Sequence, residues 1–233
     1  PRRCNDGGAW RFDPKSFRLE RLQVDISNPW GFSFDYWEQP FISDASPGEN
    51  WWALPFSSKM PYGIEQVKVE QFVPKRSRPS SGAEFVSSRH FPDAQQGDFM
   101  TCNTIGFLGI SFGKKHDDGA GFVGEANGDL ISSTDGNFRP VDLEFAPDGS
   151  LYFIDWHNPL IGHMQHNARD PNRDHDHGRI YRITAEGRPL AWQPKIDGEP
   201  TPIQTRRRTR TSLPRLRPWP HGCVPRRHQI CGS

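Results

Sequence analysis

The stretch Val141-Asp-Leu-Glu-Phe-Ala-Pro-Asp-Gly-Ser-Leu-Tyr-Phe-Ile-Asp155 carries the pattern of a β-hairpin. Val141 begins an alternation of apolar and acidic residues, which is typical of a strand with one buried face. Pro, Asp and Gly at positions 147–149 then supply a tight turn. The run from Leu151 to Trp156 is almost continuously apolar and suits a strand buried on both faces. We therefore predict two antiparallel strands joined at residues 147–149.

The same pattern occurs earlier in the chain, at an offset of 111 residues. Residues 30–44 align without gaps on residues 141–155, which places Asp44 on Asp155. Recurring units of strand, turn and strand are typical of a β-propeller, because each blade buries its faces against its neighbours. At roughly 40 to 55 residues per blade, residues 1–199 predict an all-β, partial β-propeller of about four blades.

Composition agrees with an all-β chain and excludes several other classes. The 233 residues include 22 Gly and 22 Pro, a content that favours many turns and excludes a coiled coil. Eight Trp and 16 Phe argue against a wholly disordered chain. Mean hydropathy is −0.78, and no apolar run approaches the roughly 20 residues of a spanning helix, so we expect no membrane span in this chain.

The two ends of the sequence depart from this pattern. Residues 200–233 contain eight Arg and no acidic residue. Such a tail is an arm for nucleic acid or an anionic surface, a disordered segment, or translation in a shifted frame. We expect an irregular or disordered tail with no nucleic-acid partner. The abrupt start, with neither an initiator Met nor a signal pattern, indicates a fragment of a longer protein.

The four cysteines, at positions 4, 102, 223 and 231, form no C-x-x-C pair. Zinc-ribbon, thioredoxin-type and covalent haem sites therefore have no support. Cys4 and Cys102 are either a disulfide or two buried thiols.

The most reactive residue types concentrate in the loop between Asp155 and Arg179. A propeller places such loops at the mouth of its channel, where substrates bind. Histidine supplies a base near neutral pH, and arginine supplies a fork for an anionic group. The candidate catalytic residues are His157, His163, His166, Arg169 and Arg173. The alternative is a polar network that pins a long loop to the next blade.

Part of this loop has the spacing of calcium ligands. Asp170, Asn172 and Asp174 occupy positions 1, 3 and 5 of a calcium loop, and Asp176 adds a further oxygen donor. An EF-hand is excluded because Tyr181 stands where a bidentate Glu is required. An irregular calcium site at these four residues is the remaining hypothesis. The histidine pairs fix no third ligand for a transition metal.

Two further groups have both a binding and a structural interpretation. Exposed aromatic residues stack against sugars, whereas aromatics at blade contacts are core residues. Both interpretations, a sugar-stacking surface and a core contact, are open for Trp30, Tyr36, Trp37, Trp51 and Trp52. Similarly, the segment from Arg89 to Asp93, which contains His90, either faces the channel or pins a loop.

Residues 138–166, continued by residues 169–183, resemble the signature of bacterial membrane-bound dehydrogenase domain proteins. Gly7-Gly-Ala-Trp-Arg-Phe-Asp-Pro14 and Ser87-Ser-Arg-His-Phe-Pro-Asp93 are similar to the same family, so the resemblance spans about residues 7–193. In that family a propeller resembling quinoprotein glucose and sorbosone dehydrogenases is followed by helical repeats and a c-type cytochrome. Neither follower occurs in this sequence.

The resemblance departs from the quinoprotein pattern at a decisive position. Those enzymes carry a G-H-R-N-P-x-G loop whose His takes a proton from the sugar hydroxyl. The comparable segment of this sequence is Asp25-Ile-Ser-Asn-Pro-Trp-Gly31, with Ile26 at the His position and Ser27 at the Arg position. Neither side chain can perform the chemistry of the residue it replaces. The later Asp155-Trp-His-Asn-Pro159 does place His157 before Asn-Pro.

The resemblance implies an oxidoreductase fragment from a periplasmic or secreted, cell-envelope protein. Its parent would oxidise a sugar or polyol using pyrroloquinoline quinone and calcium. Electrons would pass to a c-type haem domain that lies outside this chain. The alternative, from another functional class, is a non-catalytic propeller that binds carbohydrate or protein.

Overall fold

The computed structural model describes residues 6–53, 71–161 and 169–192, without the side chains of residues 21 and 23–25. This part of the chain is all-β apart from a 3-10 turn at Asp93–Gln95. Twelve strands occur there in chain order: β1 (Gly7–Asp13), β2 (Arg18–Ile26), β3 (Pro29–Phe34), β4 (Pro40–Asp44), β5 (Glu49–Trp52), β6 (Ser80–Phe85), β7 (Phe99–Asn103), β8 (Gly109–Asp118), β9 (Gly121–Ser132), β10 (Pro140–Phe145), β11 (Leu151–Asp155) and β12 (Arg179–Ile183).

These strands form four antiparallel sheets in which chain neighbours pair: sheet 1 (β1–β2), sheet 2 (β3–β5), sheet 3 (β6–β9) and sheet 4 (β10–β12). The first strands of sheets 2, 3 and 4 contact one another in order, β3 with β6 and β6 with β10. Glycine permits this approach, because a Cβ at Gly82 would lie 2.7 Å from the Asp142 Cα. Antiparallel sheets that stack in chain order along their first strands are typical of propeller blades. The chain is therefore an all-β, partial β-propeller, as predicted.

The predicted hairpin is confirmed. Strands β10 and β11 pair antiparallel, with Leu143 opposite Phe153. The turn is closed by Gly149, whose φ of 85° lies in the left-handed region, and by Asp148, whose Oδ1 accepts the Ser150 N–H at 3.0 Å. Local turn chemistry and alternating apolar residues therefore suffice to form this unit.

One feature of the hairpin prediction is wrong. The apolar run predicts that strand β11 is buried on both faces, but Tyr152 is 39% and Ile154 47% exposed. Leu151 and Phe153, on the opposite face, are buried against sheet 3. An apolar run records which residues a strand carries, but not whether a neighbouring sheet covers both of its sides.

The 111-residue repeat predicted from the sequence is present in the strand register. Pro29 lies opposite Asp44 in sheet 2, and Pro140 lies opposite Asp155 in sheet 4, each followed by a bulge at the same place. Asp44 Oδ1 accepts the Asn28 N–H at 2.9 Å, and Asp155 Oδ1 accepts the corresponding Arg139 N–H at 2.7 Å. The two units are thus equivalent in strand register and in this hydrogen bond, which joins the end of the second strand (β4 or β11) to the residue before the first strand (β3 or β10).

Apolar clusters fill the spaces between successive sheets. Sheets 1 and 2 meet at Ile26, Ile42, Trp51 and Ala53. Sheets 2 and 3 meet at Phe41, Ala83, Phe85 and Phe99, joined by Phe72 and Val73. Sheets 3 and 4 meet at a larger cluster that includes Met100, Cys102, Ile110, Leu143, Leu151 and Phe153. Cys102 forms no disulfide, and its burial raises the pKa of the thiol.

Contacts divide the chain into a compact unit, Pro1–Gln193, and a second segment, Pro194–Ser233. The predicted basic tail and Cys4 lie outside the described residues. Among the helices of the described part, none has the length and apolarity that crossing a membrane requires.

Candidate functional site

The candidate site lies where strand β11 ends. Because β11 is antiparallel to both neighbours, its last residue, Asp155, faces the start of β10 at Pro140 and the start of β12 at Arg179. The loops that precede β10 and follow β11 therefore meet at one edge of sheet 4. This edge brings together residues that are up to 44 positions apart in the chain.

Asp155 organises this edge. Its side chain is fully buried, and its Oδ1 accepts the backbone N–H groups of Arg139 at 2.7 Å and His157 at 2.8 Å. Its Oδ2 lies 3.8 Å from a guanidinium nitrogen of Arg179 and has no hydrogen-bond partner among the described residues. One carboxylate thus holds both loops and places a negative charge beneath Arg179.

His157 has an unusual backbone conformation, with φ at 48°. Non-glycine residues rarely adopt this region, and such positions concentrate at functional sites. Its Nε2 lies 3.2 Å from Arg179 Nη2. A guanidinium can only donate, so Nε2 accepts and the ring proton is on Nδ1. That Nδ1 is buried and has no hydrogen-bond partner within the described ranges.

Arg179 connects this histidine to an acidic residue of the other loop. Its Nη1 contacts Asp135 Oδ2 at 3.2 Å and the Tyr181 hydroxyl at 3.4 Å. The backbone N–H of Asn137, and then Arg179 itself, lower the pKa of Asp135. We call His157, Arg179, Asp135 and Asp155 the β11-edge cluster. It holds a neutral imidazole beside an ionised carboxylate and a cation.

Arg139 supports the cluster from below. Its guanidinium donates to three backbone carbonyls, those of Thr104, Asn158 (3.1 Å) and Pro159 (3.4 Å). Partial burial lowers the pKa of this arginine. Thr104 follows β7, so Arg139 links the loop after β11 to sheet 3. The Arg139 guanidinium donates to these backbone carbonyls and has a structural role.

The remaining predicted site residues are spread over the loop. Arg169 is exposed, and the guanidinium of Arg173 lies over the Trp156 ring at 5.1 Å. His163 and His166 lie outside the described residues. Of the five candidate catalytic residues, the structure therefore places His157 in the β11-edge cluster. The catalytic assignment itself stays a prediction.

Sequence reasoning did not select Asp135, Asp155, Arg139 or Arg179 as site residues. A signal for Asp155 was available, because the repeat aligns it with Asp44 at the same strand end. Asp135 and Arg179 carry no comparable local signal, since their roles arise from the antiparallel packing of β10, β11 and β12.

The segment from Arg89 to Asp93 pins a loop. His90 is buried, its Nδ1 donates to the Pro189 carbonyl at 2.9 Å, and its Nε2 accepts the Ala185 N–H at 2.9 Å. Arg188 forms an ion pair with Asp93 at 2.8 Å. Of the two interpretations of this segment, the structural one accounts for all these contacts.

The five aromatic candidates divide between core and surface. Trp51 is buried, and Trp52 packs edge-on against Phe122. Trp30, Tyr36 and Trp37 are 48%, 55% and 75% exposed. The two groups therefore do not form one platform.

Residues 53–187, more than half of the chain, match the family described as Domain of unknown function (DUF7133). This chain belongs to the DUF7133 family. Comparison of the DUF7133 chain with curated proteins gave no match.

Several solved structures resemble the DUF7133 chain at low identity. An oxidoreductase from Thermus thermophilus, described as a glucose dehydrogenase, is 16% identical, with a TM-score of 0.42 over 58% of this chain and 40% of that chain. A second glucose dehydrogenase is 20% identical, with a TM-score of 0.40 over 68% and 41%. Regucalcin from Agrobacterium tumefaciens, a calcium-binding protein, is 13% identical, with a TM-score of 0.42 over 79% and 54%. The DUF7133 chain spans about half or less of each.

The proposed calcium ligands of the DUF7133 chain are engaged in turns. Asp170 Oδ1 accepts the Asn172 N–H at 2.9 Å, and Asp174 Oδ1 accepts the N–H groups of Asp176 and His177. Those bonds from its own loop, the Asp176 N–H first, lower the pKa of Asp174. No group of three or more His, Cys, Asp or Glu side chains in the described ranges is arranged to hold a metal. The calcium assignment at these four residues stays a prediction.

The quinoprotein base position of the DUF7133 chain is part of the core. Ile26 is completely buried in the cluster with Ile42 and Trp51. Its neighbour Ser27 donates its backbone N–H to Asp44 Oδ2 at 3.0 Å, as part of the loop anchor described above. The described residues at this position therefore do not fit a quinone-dependent proton abstraction.

Proposed function

We propose that this DUF7133 chain supplies the ligand-binding edge of a dehydrogenase-like propeller and that the ligand is a sugar or polyol. The observation that carries the proposal is the β11-edge cluster, in which His157, held at a positive φ, shares Arg179 with Asp135. Binding groups are often placed on loops held by a rigid sheet, and this cluster has that position.

The chemistry of the cluster suits vicinal hydroxyl groups. The Asp135 carboxylate accepts hydrogen bonds and is kept ionised, because its pKa is lowered by Asn137 and Arg179. Arg179 donates through its guanidinium fork beside that acceptor. An acceptor and a donor side by side match the donor and acceptor character of adjacent hydroxyls.

Oxidation is the finer part of the proposal and concerns the parent protein. By resemblance, the parent would carry pyrroloquinoline quinone, which supplies the chemistry of a hydride acceptor, and a c-type haem domain in the cell envelope. The role assigned to this chain is to bind and orient the hydroxyl-bearing ligand.

A non-catalytic carbohydrate- or protein-binding propeller is the second candidate. The burial of Ile26, where the resembling enzymes carry their base, favours it. The two candidates share the same binding residues and differ in turnover.

Arg179→Gln tests the binding edge. We expect affinity for glucose or sorbitol, measured by isothermal titration calorimetry, to fall at least about tenfold, because a charged fork is replaced by one amide. Arg182→Gln is the matched control, since Arg182 lies on the same strand and is ion-paired with Asp148 at 2.7 Å, away from the cluster. Equal affinities in both variants would contradict the assignment.

Turnover separates the two candidates. Reduction of an electron-accepting dye by the full chain with glucose or sorbitol, quinone and calcium supports the dehydrogenase. Binding of either sugar probe without dye reduction supports the binding module.

A further inference from the structure

A cavity of about 390 Å³ lies between sheets 2 and 3. Its walls come from β5 in sheet 2 and from β7, β8 and β9 in sheet 3. This volume is near the lower end of the range of small-molecule pockets, about 300–1,000 Å³. The lining does not include any of the four residues of the β11-edge cluster, so the cavity is separate from that site.

Residues 71–80 form a third wall of the cavity. Phe72 donates its backbone N–H to the Asn50 carbonyl of β5 at 3.0 Å. On the other side, Val73 packs closely on sheet 3, because a Cβ at Gly113 would lie 2.5 Å from the Val73 Cγ1. Both sheets therefore hold this segment beside the cavity.

Two buried polar side chains line the cavity without being satisfied by the protein. Thr101 of β7 is 6% exposed, and Asn50 of β5 is 3% exposed. Among the described residues, neither the Thr101 hydroxyl nor the Asn50 Nδ2 has a hydrogen-bond partner. Buried polar groups are normally paired, so these two groups indicate a ligand that supplies the missing partners.

The two amides of the cavity have occupied oxygens. Asn103 Oδ1 accepts the Ser77 hydroxyl at 3.0 Å, and its Nδ2 donates to the Thr101 carbonyl at 3.1 Å. Asn50 Oδ1 accepts the Ser43 hydroxyl at 2.7 Å. Each amide nitrogen carries two N–H donors. Both amides therefore retain donors for a ligand that brings oxygen acceptors.

Two exposed cations line the cavity, and one of them lacks an acidic partner. Arg76 is paired with Asp129 at 3.0 Å. Lys75 donates to the Pro47 carbonyl at 3.1 Å and forms no ion pair within the part of the chain that the structure describes. An ammonium group has three donors, so Lys75 keeps two for a ligand. The charged side chains of the lining thus leave one positive charge unbalanced.

We propose that this cavity binds a compact anion that also carries hydroxyl groups, as a sugar acid or a polyol phosphate does. Lys75 pairs with the carboxylate or phosphate, and Thr101 and Asn50 bond the hydroxyl groups. These three residues belong to three different walls, so a ligand with several oxygen atoms engages them together. The site does not depend on the function proposed for the β11-edge cluster.

Isothermal titration calorimetry of the full chain with gluconate and with glycerophosphate tests the site. We expect at least one to bind with a dissociation constant of about 1 mM or lower. Lys75→Gln should weaken binding at least about tenfold and Thr101→Val at least about threefold, because they remove a charged donor and a hydroxyl. The matched controls are Lys15→Gln, at an exposed turn, and Thr104→Val, at a buried residue outside the lining.

Circular dichroism checks that each variant is folded. Thr101→Ser keeps the hydroxyl and should retain binding, which separates loss of the hydroxyl from loss of the fold. If Thr101→Val does not fold, the exposed Lys75 decides the test through Lys75→Gln.

Arg179→Gln separates this site from the β11-edge cluster. We expect it to bind the anions as tightly as the wild type does, whereas Lys75→Gln should leave any binding of glucose or sorbitol unchanged. Tighter binding of gluconate supports a carboxylate ligand, and tighter binding of glycerophosphate supports a phosphate. No binding of either anion at about 10 mM overturns the proposal. The same holds for an affinity that is unchanged in Lys75→Gln, or that is lost in Arg179→Gln instead.

Discussion

At the scale of single residues, buried carboxylates at strand ends organise the loops. Asp155 accepts two backbone N–H groups, and Asp44 does the same in sheet 2. Removing an acceptor leaves buried donors unsatisfied, at about 1–3 kcal/mol for each. We expect Asp155→Ala to lower the free energy of unfolding by about 2–5 kcal/mol in denaturant titrations. Asp117→Ala is the control because the Asp117 side chain is 86% exposed, and its change should stay within about 0.5 kcal/mol. Equal stability of the two variants would refute the anchoring role.

At the scale of elements, the β10–β11 hairpin depends on Gly149. Its φ of 85° disfavours any side chain, and a Cβ there would lie 2.7 Å from Ser88 Oγ and 3.1 Å from the His90 Cβ. Gly187 has a φ of 72° with open space around it. We expect Gly187→Ala to cost about 1–2 kcal/mol from conformation alone. Gly149→Ala should cost at least about 1 kcal/mol more, because the segment that carries His90 must shift. Urea unfolding of both variants measures the difference, and equal costs would show that this segment yields freely.

At the scale of the whole molecule, ion pairs and turn caps couple stability to pH. The Ser150 hydroxyl and N–H, and then Arg182, lower the pKa of Asp148. The folded pKa is below the unfolded value of about 3.9, so this stabilisation is complete above pH about 4 and is lost as pH falls through the folded pKa. We expect the wild-type thermal midpoint to exceed that of Asp148→Asn at pH 7, and the difference to shrink below pH about 4. A difference that is independent of pH would assign the effect to packing instead.

Much of the fold follows from local signals. The alternation in residues 141–145, the turn at Gly149 and the 111-residue repeat predicted the hairpins and the all-β class, and the structure confirms them. These features can be predicted from the sequence because side-chain alternation and turn conformations depend on residues adjacent in the chain.

The candidate site was predictable only in its location. The β11 loop was identified and His157 was among its candidates, but its partners Asp135 and Arg179 are 22 residues away on either side. Their meeting depends on the register of three strands, which no local pattern encodes.

The sequence by itself therefore determined the repeated strand units, their turns and their stacking in chain order. Tertiary structure decided which apolar faces are covered and which polar groups meet. It buried Ile26, left Ile154 half exposed, and committed His90 to a loop 95 residues away. The physical reason is that burial and hydrogen-bond pairing are properties of contacts between distant segments, whereas strand and turn formation are properties of neighbours.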